Sequence, residues 1–260
     1  MERNIVFSFS GTGNSLKAAK DIAGSLDNCN IVSMGKSYRL SGAYERIGFV
    51  FPSYAMGLPG IVEEFIKSLD LSENKGSYYF TVVTCGQSAG NSIYRIAELL
   101  KAKGATLQFG SQLLSFSNYV VLYPMADNAD EKAKEAEKAL NPMITEIVGK
   151  RPHVVPRRSN PALTLVHNFF ITTLPKKDEG FHISDNCDRC GVCTMVCPVN
   201  NIKMKDQKPL FQHQCQQCMA CIQWCPNRAI EYKNKTQNRG RYRHPDISCA
   251  EMIEQAEGKR

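Results

Sequence analysis

Two copies of one cysteine spacing constrain this chain more than any other feature. The first runs Cys187, Cys190, Cys193 and Cys197, followed by Pro198; the second runs Cys215, Cys218, Cys221 and Cys225, followed by Pro226. Together they take eight of the eleven cysteines. Three thiolates at i, i+3 and i+6 on a tight loop hold three corners of an iron–sulfur cubane, while the fourth lies too far along and reaches the other cluster. The spacing therefore predicts one [4Fe–4S] cluster on Cys187, Cys190, Cys193 and Cys225, and a second on Cys215, Cys218, Cys221 and Cys197. Zinc ribbons use Cys-x-x-Cys pairs without the third cysteine and the Cys-Pro step. A disulfide framework needs an oxidising compartment, and the N-terminus reads as no signal peptide. Radical-type clusters need Cys-x-x-x-Cys-x-x-Cys, which is absent.

With both motifs complete and each proline in place, the segment resembles the bacterial dicluster ferredoxins. Such a module occupies only about a quarter of 260 residues, leaving room for a further domain of roughly 150 residues with its own core. The longest apolar run, Leu163–Leu174, contains His167 and Asn168 and is shorter than the roughly 20 residues of a membrane span. It reads as a buried or docking helix. Residues 1–150 carry 15 Lys+Arg against 15 Asp+Glu, and residues 151–260 carry 17 against 10, so the second half supplies the whole +7. Clusters and a phosphate bring compensating negative charge, and no nucleic-acid reading motif accompanies the basic residues. A nucleic-acid partner is not expected.

At the N-terminus, Asn4–Phe9 reads as a buried strand. It runs straight into Ser10-Gly11-Thr12-Gly13-Asn14-Ser15, after which Leu16, Ala19, Ile22, Ala23 and Leu26 fall at helical spacing. A strand, a Gly/Ser/Thr turn and a helix N-terminus form a phosphate site built from amide and hydroxyl donors. Neither a nucleotide P-loop nor a dinucleotide fingerprint is present. The loop closely resembles the flavodoxin phosphate loop. The resemblance implies that Ser10, Thr12 and Ser15 and the side chain of Asn14 surround an FMN phosphate, with Gly11 and Gly13 letting the backbone approach. It places a first ring loop at Pro52, Ser53, Tyr54 and Met56, where Tyr54 or Met56 packs on the isoalloxazine. A second falls at Thr84, Cys85, Gly86, Gly90 and Asn91, whose backbone amides meet the ring edge.

Further strands are expected at 29–34, 46–52, 77–84 and 106–116, with helices at 61–69, 92–101 and 128–148. Alternating strands and helices imply an α/β fold, a five-stranded doubly wound parallel sheet of flavodoxin-like order 2-1-3-4-5. A small C-terminal α+β dicluster ferredoxin domain follows. The expected organisation is an FMN-binding domain over 1–150, a linker and docking helix over 151–180, a ferredoxin domain over 181–235, and a basic polar tail over 236–260. In the ferredoxin domain Phe181–Ile183 is expected to pair with Ile230–Tyr232. The tail, with Arg239, Arg241, Arg243 and His244, reads as a partner-binding arm or a solubilising end, the last ten residues as the latter. Cys29 and Cys249 read as ordinary thiols, and His213 as a hydrogen-bonding neighbour of the second motif.

The whole-chain order resembles flavodoxin–ferredoxin fusion proteins of anaerobic bacteria and archaea. That implies a cytoplasmic electron carrier, exchanging electrons among FMN, two [4Fe–4S] clusters and redox proteins such as a ferredoxin, a reductase or an oxidase. The alternative is an FMN-dependent reductase of a small molecule fed by its own clusters. The residues show no pyridine-nucleotide fold and no acid–base pocket for it. Oligomeric state is not legible.

Overall fold

The computed structural model describes residues 3–153, 156 and 158–257. The first apolar run becomes strand β1 (Asn4–Ser8), buried throughout. It passes through the Ser10–Gly13 turn into helix α1 (Asn14–Gly24), which buries Leu16, Ala19, Ile22 and Ala23. Then come β2 (Cys29–Ser33), β3 (Arg46–Pro52), α2 (Gly60–Ser68), β4 (Tyr78–Cys85), α3 (Ser92–Lys101), β5 (Leu107–Leu114) and α4 (Ala129–Val148). The five strands form one parallel sheet in the order 2-1-3-4-5. This is the expected doubly wound arrangement.

Strands β3 and β4 are apolar on both faces because a parallel sheet is covered on both. Ile47, Phe49, Phe51, Tyr79 and Val83 pack with α2 and α3, whereas Val6, Val50, Phe80 and Val82 pack with α1 and α4. The negative end of α4 is met by Arg46, whose guanidinium donates to the carbonyls of Ile147 at 3.2 Å and Val148 at 2.7 Å.

The apolar run becomes α5 (Pro161–Thr173), and here the outcome differs from a buried helix. None of its residues is fully buried. Asn160 caps it, accepting from the Ala162 amide at 3.0 Å, and Asn91 ties that cap to the first domain by donating to the Asn160 carbonyl at 2.8 Å. Thr164, His167 and Phe170 share one stripe of the helix. Thr164 Oγ1 accepts from Asn91, His167 Nδ1 lies 2.9 Å from the Tyr54 carbonyl, and Phe170 meets Tyr119 edge-on. The helix docks through that stripe, while Leu165 and Phe169 on other faces are each 73% exposed. No helix among the described residues is long and apolar enough to cross a membrane.

The C-terminal half comprises β6 (Phe181–Ile183), α6 (Val192–Met195), β7 (Ile202–Lys205), β8 (Lys208–Phe211), α7 (Ala220–Trp224) and β9 (Ile230–Tyr232). β6 pairs antiparallel with β9 in the expected register, Phe181 opposite Tyr232, and β7 and β8 form a hairpin. Phe181, Ile202, Ile222, Ile230 and Tyr232 make a small core shared with the cysteines.

The last segment corrects the expectation of a free basic tail. Its residues close back over the first domain and end in α8 (Cys249–Glu257). Tyr242, Ile247, Met252 and Ala256 are buried. The basic groups are structural: Arg241 pairs with Glu231 at 2.9 Å, Arg239 donates to the Val120 carbonyl at 2.6 Å, and Arg243 lies over the Trp224 ring. Apolar residues at 249, 252, 253 and 256 follow helical spacing, so the stretch had a core-facing stripe beneath its charge.

Candidate functional site

All eleven cysteines are free thiols. Eight of them gather around two small cavities. One is lined by Cys187, Cys190, Cys193 and Cys225; the other by Cys197, Cys215, Cys218 and Cys221. Each cavity thus takes three cysteines from one motif and the Cys-Pro cysteine of the other. The Gly191 turn and short α6 present the first set; Met219, with φ +65°, turns the chain into α7 for the second.

The thiols feel one another in the same groups. Burial, then Cys225, Cys190 and Cys187, pushes Cys193 up to about 12. Burial, then Cys218, Cys215 and Cys197, holds Cys221 well above the ordinary thiol range. A metal cation offsets that penalty by neutralising charge on the ligands, so four sulfurs gathered around each cavity are a donor set that fits iron–sulfur ligation. Backbone amides already point at sulfur: Asn201 N to Cys197 Sγ, Gln217 N to Cys215 Sγ and Ala229 N to Cys225 Sγ, each at 3.2 Å. Such bonds stabilise charge on the ligands. His213 is not near a sulfur in this sense: its Nδ1 lies 2.8 Å from Asp178, a buried carboxylate that also accepts from Asn201 Nδ2 and the His213 amide, each at 2.9 Å.

A third and larger cavity, about 310 Å³, opens at the C-terminal ends of β1, β3, β4 and β5, where open α/β sheets receive ligands. Ser10, Gly11, Thr12, Asn14, Ser15, Pro52, Ser53, Tyr54, Thr84, Cys85 and Gly86 all line it. The remaining expected residues do other work. Gly13, at φ +101°, starts α1 and donates its amide to Ser10 Oγ at 3.0 Å. Met56 sits at the tip of a turn closed by two hydrogen bonds between Tyr54 and Gly57, and its carbonyl accepts from the Asn91 amide at 2.8 Å. Met56, Gly90 and Asn91 therefore tie the two ring loops to each other and to α5.

The segment after β5, helix α5 and the C-terminal half supply walls that the sequence did not reveal. Ser117, Asn118, Tyr119, Phe170, Gln217 and Met219 also line the cavity. The available signal for 115–119 was position, a hydroxyl- and amide-rich break directly after the last strand. Gln217 and Met219 lie between cysteine ligands and carried no such signal. Tyr119 donates to Gln217 Oε1 at 3.0 Å, and Asn118 Nδ2 bonds Thr12 Oγ1.

The phosphate-type loop is held from behind. The carbonyls of Ser10, Gly11 and Thr12 accept from Gln255 Nε2 at 2.9 Å, Trp224 Nε1 at 3.0 Å and the His244 amide at 2.9 Å. In a trans peptide the N–H points opposite to the carbonyl, so these contacts turn the Gly11 and Thr12 amides the other way. Tyr242 donates to Asn14 Oδ1 at 2.8 Å, leaving the Asn14 amide group as the donor that remains. His244 is buried, accepting from the Asp246 amide on Nδ1 and facing Glu137 with Nε2 at 3.2 Å.

The cavity and the second cysteine site share the stretch Gln217, Cys218 and Met219. Cys218 lines both. A Cβ on Gly11 would fall 1.9 Å from the Cys218 carbonyl, so only glycine allows this approach. Tyr54 stands at the same wall: burial first, then Cys218 and Cys215, drives its phenol well above its ordinary value. Cys85 is pushed up to about 11 by burial, an inert thiol rather than a nucleophile.

Residues 180–240 match the 4Fe–4S dicluster domain family. Among solved structures, a flavoprotein of Bacteroides uniformis is 20% identical over 53% of this chain and 98% of that one, with a TM-score of 0.36. The two-electron reduced flavodoxin of Megasphaera elsdenii is 19% identical over 53% and 98%, with a TM-score of 0.34. The FMN-dependent NADH-azoreductase of Bacillus anthracis is 9% identical over 57% and 100%, with a TM-score of 0.40. No curated protein matches the chain. The strand order gives the first part a flavodoxin-like α/β fold, and residues 180–240 carry the match to the 4Fe–4S dicluster domain.

Proposed function

We propose that this protein is an electron carrier in which FMN and two [4Fe–4S] clusters form one conduit. The observation that carries this reading is Cys218, a member of the inner four-cysteine site and of the large cavity at once. Cys187, Cys190, Cys193 and Cys225 hold the outer cluster; Cys215, Cys218, Cys221 and Cys197 hold the inner one. Ser10, Thr12, Ser15 and the amide of Asn14 take the FMN phosphate, supported by the Gly11 and Thr12 amides. Tyr54, Tyr119, Phe170 and Met219 enclose the ring, with the backbone of Cys85 and Gly86 at its edge. A bound flavin exchanges one or two electrons and each cluster exchanges one, which lets the protein couple single-electron and two-electron partners. The boundaries proposed are a flavin domain over 1–150, a linker and docking helix over 151–180 and a ferredoxin domain over 181–235, with the last segment as a strap across the flavin domain. A reducing cytoplasm suits eight cysteine ligands that must stay out of disulfides.

The test is anaerobic stopped-flow absorbance on protein with measured FMN and iron. A reduced ferredoxin should bleach clusters and flavin in linked phases, while NADH and NADPH leave them oxidised. Rapid bleaching by a pyridine nucleotide would instead make the protein a reductase with its own hydride site. Protein that binds iron but no flavin would refute the conduit.

A further inference from the structure

The two cysteine sites differ in what surrounds them. Cys221 is buried and the Cys218 backbone abuts Gly11 of the first domain, whereas Cys190 is exposed. Around that exposed thiol four long cations are placed by specific contacts. Arg189, between two ligands, bonds Gln207 at the tip of the β7–β8 hairpin. Lys205 and Lys208 flank that tip, and the next residue, Pro209, lines the outer cavity. Arg228 extends from the Cys225–Ala229 loop, whose Asn227 reaches Asp188. All four are exposed, and among the described residues none is in an ion pair with a carboxylate. Two other arginines of this half are held internally, Arg239 and Arg241, on carbonyls and Glu231.

Asp185, Asp188 and Asp206 lie on the same loops. Asp188 accepts from the Cys190 amide at 3.1 Å and is exposed like Asp185 and Asp206, so four cations face three carboxylates at the rim. Docking responds to the charges at the rim, which an approaching protein meets first. At the other end of the conduit, the large cavity is walled in part by Tyr119, Phe170, Gln217 and Met219, with no cationic side chain in its lining.

We infer that the outer site is the electron entrance for proteins and that its collar, Arg189, Lys205, Lys208 and Arg228, docks an acidic one-electron carrier protein. This rests on the electron-carrier reading above and names its partner class and port. Each docking event oxidises the partner by one electron and reduces this protein by one. Two successive events, with protons drawn from water, complete a two-electron reduction.

The test uses full-length holoprotein and a strongly acidic ferredoxin as probe. Its dissociation constant in the oxidised state and the second-order rate of electron transfer from the reduced state are followed against salt. Both should weaken steeply as salt rises, and the Lys205→Glu/Lys208→Glu variant should bind and react about tenfold more weakly at low salt, converging with wild type at high salt. Reversal of Lys134 and Lys138 on α4 should leave both quantities unchanged. Full bleaching by dithionite in every protein separates the two ideas: if dithionite reduces the protein but the ferredoxin rate is flat with salt, the docking surface is wrong and the carrier stands. Equal slowing by the α4 variant would also overturn the port. If the hairpin variant loses iron, the salt dependence of wild type and the Lys205→Gln/Lys208→Gln variant decide in the same terms.

Discussion

The outer and inner cysteine sites have one spacing and different surroundings, and the contrast separates what a motif does from what its placement does. Both sites gather four thiols, and each has at least one amide aimed at a Cys-Pro sulfur, Ala229 N on Cys225 and Asn201 N on Cys197. Ligation is thus a property of the local loop. Exposure is not: Cys190 faces solvent, while Cys221 is buried and the Cys218 backbone presses on Gly11. On the proposed reading, a site on the rim exchanges with partners and a site against the cavity wall exchanges with what the cavity holds.

The most severe way to break this contrast is to remove one site. Cys197→Ala should delete the inner site alone, lowering iron to about half and leaving the flavin unreduced by ferredoxin. Iron analysis and stopped-flow absorbance check this. Loss of the site formed by Cys187, Cys190 and Cys193 would refute the crossed ligation.

A smaller disruption attacks the seam. Gly11→Ala puts a methyl into the Cys218 carbonyl, and the backbone on both sides cannot yield without separating the halves. The expected cost is about 1–3 kcal/mol, with weaker FMN retention, read by denaturant unfolding and flavin fluorescence. An unchanged midpoint would mean the seam adjusts freely.

Trp224→Phe keeps the ring packing but removes the donor to the Gly11 carbonyl. It should cost about 1 kcal/mol and weaken FMN binding severalfold without altering iron content. Equal loss of iron would assign Trp224 to the cluster module instead of the loop.

The gentlest prediction concerns α5. Burial lowers His167 below its ordinary value, although the Tyr54 carbonyl and Glu63 oppose this. The docked helix therefore binds fewer protons than the undocked one, and docking is favoured above the ordinary imidazole range and weakened as pH falls through it. The protection factors of the α5 amides, each exchange rate taken relative to the intrinsic rate at the same pH, should be smaller at pH 5.5 than at 7.5, and His167→Gln should abolish the difference. Equal protection at the two pH values would sink the idea.

Much of the sheet was legible because parallel strands write themselves as short apolar runs: β1, β3 and β4 sit within a residue or two of their expected bounds. The phosphate-type loop was legible because its donors are contiguous. The ring loops were only partly so, since Met56, Gly90 and Asn91 have loop chemistry suited to a ligand but meet each other. The closing strap was misjudged because its charges, Arg239, Arg241 and Arg243, dominate the composition while Tyr242, Ile247 and Met252 carry the packing.

The sequence by itself determined which cysteines stand at ligand spacing, the phosphate-type loop and where most strands and helices fall. These depend on residues close in the chain, where a few covalent bonds restrict what the side chains can reach. Only the tertiary structure decided which cysteine site is inner, what walls the cavity and what holds the phosphate-type loop. Those rest on contacts such as Trp224 with Gly11, separated by 213 residues, and Gln255 with Ser10, separated by 245. No local pattern encodes such a meeting, because two surfaces must already be folded before their donors and acceptors can find one another.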